Sequence, residues 1–275
     1  MSRTVLIVAG IVLVLVVGVV GYAFFKPPEQ ASGPLQAVPL TLETPTVAVA
    51  QATATTVPPT VAPTATTEVA AVPATEPAPT ATTAAEAADI APNADNASPL
   101  IFEIVPAESQ ARFIINEVLN GAPKTVVGTT SQVAGQLAVD PANPTAARVG
   151  TIQVNARDLT TDNEFRNRAI KNRILETDAY ELVTFVPTAI NGLPEQVTLG
   201  EEMTFQIVGD LTIRNVTRPV TFDVTLVPVN DTRLEGKATT TLAYADFEIV
   251  IPAARAVSAV EDTVTLQLDF VATPV

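Results

Sequence analysis

Between residues 100 and 275 the apolar side chains fall at every second position. Ala111, Phe113 and Ile115 form one row, Val133, Gly135, Leu137 and Val139 another, and Ile152, Val154 and Ala156 a third. The longest instance is 205–224, FQIVGDLTIRNVTRPVTFDV. Phe205, Ile207, Leu211 and Ile213 hold odd positions there, a polar break covers 214–219, and Val220, Phe222 and Val224 hold even ones. Successive side chains of a strand point to opposite faces, so each row buries one face and wets the other. Ala238, Thr240, Leu242 and Tyr244 continue the pattern, as do Val264, Leu266, Leu268 and Phe270. Turn-forming pairs such as Asp140-Pro141, Asn143-Pro144, Asn191-Gly192 and Asn230-Asp231 stand between the rows. The pattern predicts an antiparallel all-β module with a hairpin at the polar break.

One segment departs from period two. In 161–177 (TDNEFRNRAIKNRILET), Phe165, Ala169, Ile170, Ile174 and Leu175 recur near helical spacing, and Thr161 or Asp162 could cap the start. Arg166, Arg168, Lys171 and Arg173 make it the only concentrated basic run. It reads as a short amphipathic helix with a solvated face, or as a lid whose cations meet a polar ligand head.

The N-terminal third has neither period. Residues 4–25 are uncharged and mostly aliphatic, long enough to cross a bilayer core of about 20 residues as a helix. We expect an uncleaved signal-anchor over 1–26, the alternative being a cleaved signal peptide, whose apolar core would be shorter and for which no good small-x-small site precedes Lys26. Arg3 and the amino terminus lie before the helix and Lys26 after it, a slight bias towards a cytoplasmic N-terminus with everything downstream outside. Residues 27–99 are low-complexity Ala, Thr, Pro and Val, too poor in large apolar side chains to offset chain entropy. The expectation is a disordered linker that could reach on the order of 200 Å if extended at about 3 Å per residue. The folded module is then 100–275.

Charge and composition narrow the chemistry. A formal net charge of −14 argues against nucleic acid, whose phosphates need Lys and Arg. Cys and His are both absent, which removes the thiolate and imidazole ligands of common metal sites and any His-dependent triad. Asp158, Asp162 and Glu164 are a candidate for paired-carboxylate hydrolysis, but acids just before a helix serve naturally as caps and dipole partners. Neither an enzyme nor a cofactor or metal is expected.

The wording of the hairpin adds a family. Residues 209–220, G-D-L-T-I-R-N-V-T-R-P-V, closely resemble the central signature of the YceI-like family, G-x-L-T-I-[RK]-G-V-T-[RK]-P-V, with Asn215 where the family usually has Gly. Asn tolerates positive φ, so the turn survives. Weaker similarities occur in the right order. Ser109 to Phe113 resembles the opening S-x-[AV]-x-F strand, and Val127-Gly128 with Gly135 the V-x-G element. Asp158 to Thr161 with Phe165 to Arg168 resembles the T-x-N-x-x-R-D-x-H-L segment, Tyr180 to Phe185 the Y-P-x-x-x-F element, and Tyr244 to Phe247 the R-x-D-F-G element. Departures fall at Ala169-Ile170 for His-Leu, Glu181 for Pro, and Tyr244 for Arg.

The resemblance implies an extended lipocalin-like antiparallel barrel of about eight strands, holding a long isoprenoid such as a quinone or polyprenyl lipid. Its cavity is expected to be lined by Phe113, Phe165, Phe185, Phe205, Ile207, Leu211, Ile213, Phe222, Val224, Tyr244 and Phe247. Partners would be the isoprenoid lipid and the cytoplasmic membrane, the latter through 4–25, with the module outside the cytoplasm. Alternation alone leaves open a ligand-free structural or adhesive β-sandwich on a stalk, because both architectures bury one face of each strand.

Overall fold

A two-residue turn accounts for the longest pattern in the sequence. The computed structural model describes residues 27–41 and 99–275. Strands β9 (Met203–Ile213) and β10 (Val216–Asn230) are joined by Arg214 and Asn215 alone, and the ladder pairs Ile213 with Val216, Ile207 with Phe222 and Phe205 with Val224. Each pair joins an odd to an even position, so the odd row of one strand lies beside the even row of the next. The expected break at 214–219 is therefore shorter, because β10 resumes at Val216. The positive φ falls on Arg214 (58°) and not on Asn215. Arg214 offsets part of that strain through an ion pair of 2.8 Å with Glu176.

The remaining strands are β1 (Leu100–Ile104), β2 (Gln110–Leu119), β3 (Ala122–Thr130), β4 (Val133–Ala134), β5 (Gln136–Val139), β6 (Arg148–Val149), β7 (Ile152–Asn155), β8 (Leu182–Asn191), β11 (Arg233–Ala243), β12 (Val257–Val260) and β13 (Thr263–Pro274). Every ladder among them is antiparallel. The order β7-β8-β9-β10-β11-β13-β1-β5 curls round until its ends meet in one interrupted strand. On either side of Gly135, β4 pairs with β7 and β5 with β1. This eight-member circuit is a curled all-β barrel, with β2, β3 and β12 added beyond the first half of β13.

Close approach of rings to backbone tightens the curl. At Gly209 a Cβ would lie 2.6 Å from the Phe185 ring and 2.5 Å from the Val186 carbonyl oxygen, so only glycine lets that ring cross the strand. Phe185 then meets Phe222 edge to face, with ring centroids 4.9 Å apart.

The helical segment is shorter than its sequence suggests. α1 (Glu164–Ala169) is capped by Asn163, whose side chain accepts from the backbone N–H groups of Phe165 and Arg166. Thr161 was an expected cap, but its hydroxyl instead donates to Asn167 Oδ1 at 2.7 Å. Asp162, the other expected cap, pairs with Lys124 and Arg166. A wider π-type turn continues α1 over Ile170–Ile174.

Four connections gather at one end of the barrel: β2–β3, β9–β10, the β7–β8 segment carrying α1, and the β11–β13 segment carrying β12. The β8–β9 and β10–β11 connections lie at the other.

Residues 27–41 depart from the expected linker. They belong to the same compact unit as the module, with Pro28, Ala31, Leu35, Ala37 and Leu40 half-buried. Ser32 donates to Glu181 through both its backbone N–H (2.6 Å) and its hydroxyl (2.7 Å). The Leu40 N–H donates to Gln136 Oε1 at 2.9 Å. The segment folds back because it carries leucines and polar partners that the P-T and A-T repeats lack. The rest of the expected linker, 42–98, and the expected anchor at 4–25 lie outside the described residues. Among the described residues no helix is long and apolar enough to cross a membrane.

Candidate functional site

The facing rows of β9 and β10 form part of the wall of a cavity of about 310 Å³. That is the low end of the roughly 300–1,000 Å³ usual for small-molecule sites. Phe205, Ile207, Leu211 and Ile213 line it from β9, and Phe222 and Val224 from β10. Phe113, Phe185 and Tyr244 complete the set of expected residues that look onto this space.

The other two expected residues do not. Phe165 is 77% exposed, because the neighbouring Arg166 takes the inward position on α1. Successive helical residues differ by about 100°, so both cannot face the barrel. Phe247 is only 1% exposed, but it is packed within the cluster of Leu211, Ile213 and Ile249 as solid core. The 3₁₀ turn Tyr244–Phe247 breaks the alternation just before it and turns the ring away from the open space.

Other walls come from Ile104, Ile152, Ile170, Ile174 and Leu266. Alternation places Ile152 and Leu266 on an inward face, yet it does not distinguish a side chain beside empty space from one beside a neighbour. Ile170 stands where the family pattern has Leu after His, and it meets the cavity with hydrocarbon.

Polarity is concentrated in a few groups. Glu117 extends the row of Ala111, Phe113 and Ile115 by one step, so its inward direction was readable from period two. Its side chain is 9% exposed and takes a 2.7 Å ion pair from Arg166, itself 19% exposed. Arg166 also reaches Asp162, which pairs with Lys124 at 2.5 Å. The Lys124 hydrogen bond holds the Asp162 carboxyl below its ordinary range against the opposing effect of burial, and the Arg166 charge adds to the lowering. Arg112, one step off the inward row of β2, pairs with Asp269 on the other face of the sheet. Thus a hydrocarbon-lined space ends in an arginine–carboxylate pair.

The three acids considered for hydrolysis do not converge as an acid and base. Asp158 accepts from the Thr130 hydroxyl at 2.8 Å, Glu164 from the Asn167 amide at 3.3 Å, and Asp162 is held by its two cations.

Comparison with known proteins agrees with this architecture. Protein YceI of Shigella flexneri is 27% identical over 134 residues, covering 48% of this chain and 65% of its own. A UPF0312 protein of Pseudomonas putida is 28% identical over 156 residues, 54% of this chain and 77% of its own. The crystal structure of BcnA from Burkholderia cenocepacia shares the fold at a TM-score of 0.50 and 19% identity, covering 62% of this chain and 99% of its own. Residues 102–272, more than half of the sequence, match the YceI-like domain, and the chain belongs to the YceI-like family.

Proposed function

We propose that the module is a lipid-binding protein that takes an isoprenoid chain, of quinone or polyprenyl type, into the barrel cavity. The observation that carries this reading is a wall built almost wholly of Phe, Ile, Leu and Val side chains, with Glu117 and Arg166 at one end. Such a wall takes up hydrocarbon without leaving hydrogen-bonding groups unpaired, and the hydrophobic gain is about 25 cal/mol per Å² buried. A head-group oxygen would accept from the Arg166 guanidinium. The protein carries or shelters the lipid and does no chemistry on it. The apolar run 4–25 anchors it in the cytoplasmic membrane, with the module on the extracytoplasmic side.

The test is solvent extraction and mass spectrometry of the full-length protein purified in mild detergent. An isoprenoid recovered in stoichiometric amount supports the proposal. Recovery of bulk phospholipid alone, in the ratio of the host membrane, contradicts it. Protease added outside intact or outer-membrane-permeabilised cells checks the orientation, since it should cut the module only if that lies outside the cytoplasm.

A further inference from the structure

Two apolar side chains are left in solvent at the end of the barrel that carries α1. Phe165 is 77% exposed and Val250 is 76% exposed. Both adjoin the cavity wall, for Arg166 follows the first, and Ile249 and Ile251 flank the second, all three lining the cavity. The two elements are tied together at this end. Arg166 bonds Glu117, Glu117 pairs in register with Val260, and the Asn120 N–H donates to the Ala256 carbonyl. Arg168 and Arg255 are exposed here and have no ion-pair partner among the described residues. In a chain of net charge −14, this end therefore offers cations and bare hydrocarbon together.

The docked segment 27–41 indicates what meets that surface. It joins the module at the same end. The Glu29 N–H donates to Asp178 Oδ1 at 3.1 Å, just beyond the turn that continues α1, and Ser32 is held by Glu181. Arg157 donates to the Gln30 carbonyl at 3.3 Å and pairs with Glu181 at 3.1 Å. Glu181 stands where the family pattern has Pro, a residue with no side-chain acceptor, so this chain supplies its own fastening. Phe25, the last residue of the apolar run, is four Cα steps before Glu29, a reach of at most about 14 Å.

We infer that this end of the barrel is a membrane-docking surface. Phe165 and Val250 enter the lipid interface, Arg168 and Arg255 meet anionic head groups, and the 27–41 strap keeps this end of the cavity beside the bilayer. The inference rests on the membrane-anchor reading of 4–25. Residues 42–98 then leave from and return to the module, so they do not set its distance from the membrane, and the reach expected of a stalk does not apply. Glu164, Asp246, Glu248, Glu261 and Asp262 share this end, so apolar insertion supplies more of the grip than charge. A lipid could then pass between bilayer and cavity without crossing water.

The chain has no cysteine, so single probes can be placed in the full-length protein. V250C and, at the opposite end, D231C would be labelled with an environment-sensitive fluorophore and reconstituted in phosphatidylcholine vesicles holding a minority of phosphatidylglycerol. Spin-labelled lipid should quench the label at 250 strongly and blue-shift its emission, while leaving the label at 231 unaffected. Arg168→Glu with Arg255→Glu should weaken quenching at 250 in these vesicles and not in pure phosphatidylcholine. Equal quenching at both sites, or none at 250 in a chain that stays with the vesicles, would overturn the docking surface while leaving the anchor intact. Release of the chain by alkaline carbonate would overturn the anchor, and the tether argument with it. Neither result touches the lipid found by extraction, which tests the cavity separately.

Discussion

Replacing Arg166 by Met keeps most of the side-chain volume and removes the cation that faces Glu117. The carboxylate it leaves is nearly buried at 9% exposure, whereas Arg166 is 19% exposed. Removing one partner of a fully buried pair costs roughly 3–5 kcal/mol, and an exposed pair contributes about 0–1. This pair lies between, nearer the buried limit on the Glu117 side, so Arg166→Met should cost about 2–3 kcal/mol. The bond to Asp162 adds little, because that group is exposed and keeps Lys124. In a domain of this size the loss corresponds to a fall in Tm of about 4–12 °C. Urea denaturation of the full-length protein would show it as a lower midpoint at unchanged slope. Adding Glu117→Leu removes the stranded charge and should restore at least half of the loss. A cost below about 0.5 kcal/mol, or a double variant no more stable than Arg166→Met, would refute a coupled pair at the cavity end.

Three further outcomes are expected from the same geometry. Ile207→Phe or Leu211→Phe should leave the fold stable but bar longer isoprenoids before shorter ones in a binding series, and a loss of about 1–3 kcal/mol with unchanged selectivity would indicate a packed core instead. Gly209→Ala should cost about 1–3 kcal/mol in urea denaturation, since the new Cβ meets the Val186 carbonyl oxygen at 2.5 Å. Strap docking should weaken in acid. Burial pushes the Glu181 pKa up, but the Ser32 hydrogen bonds, Asn155 and the Arg157 charge outweigh it and hold it below its ordinary 4.5. A depressed carboxyl pKa gives docking free energy that is complete above 4.5 and lost as pH falls through the bound value, so the Ser32 amide resonance should move to its undocked position only below that point.

Much of the barrel was legible because period two is a local signal. The odd row of β9 and the even row of β10 had to share a face once the turn between them was short, and the family signature supplied the expected closure. Position on a face does not reveal depth, however. Phe247 reads like Tyr244 in the sequence, yet one ring fills core and the other borders space. Phe165 and Arg166 sit on the edge of one helical stripe, where a rotation of a single residue decides which turns inward. The cap at Asn163 was hidden among polar neighbours, all of them acceptable caps. Composition averaged across 27–99 hides the strap. Leu35 and Leu40, with no P-T or A-T repeat around them, were the signal that sets 27–41 apart from the repeats of 42–98.

The proposed function requires hydrocarbon in the space between β9, β10 and their neighbours. The most direct measurement is photolabelling of the full-length protein with a diazirine-bearing isoprenoid, followed by peptide mapping. Adducts are expected on inward residues such as Ile207, Leu211, Phe222 and Leu266, diminished in Ile207→Phe and competed by unlabelled isoprenoid. Adducts confined to outward residues such as Thr204 and Gln206, or insensitive to competitor, would contradict it.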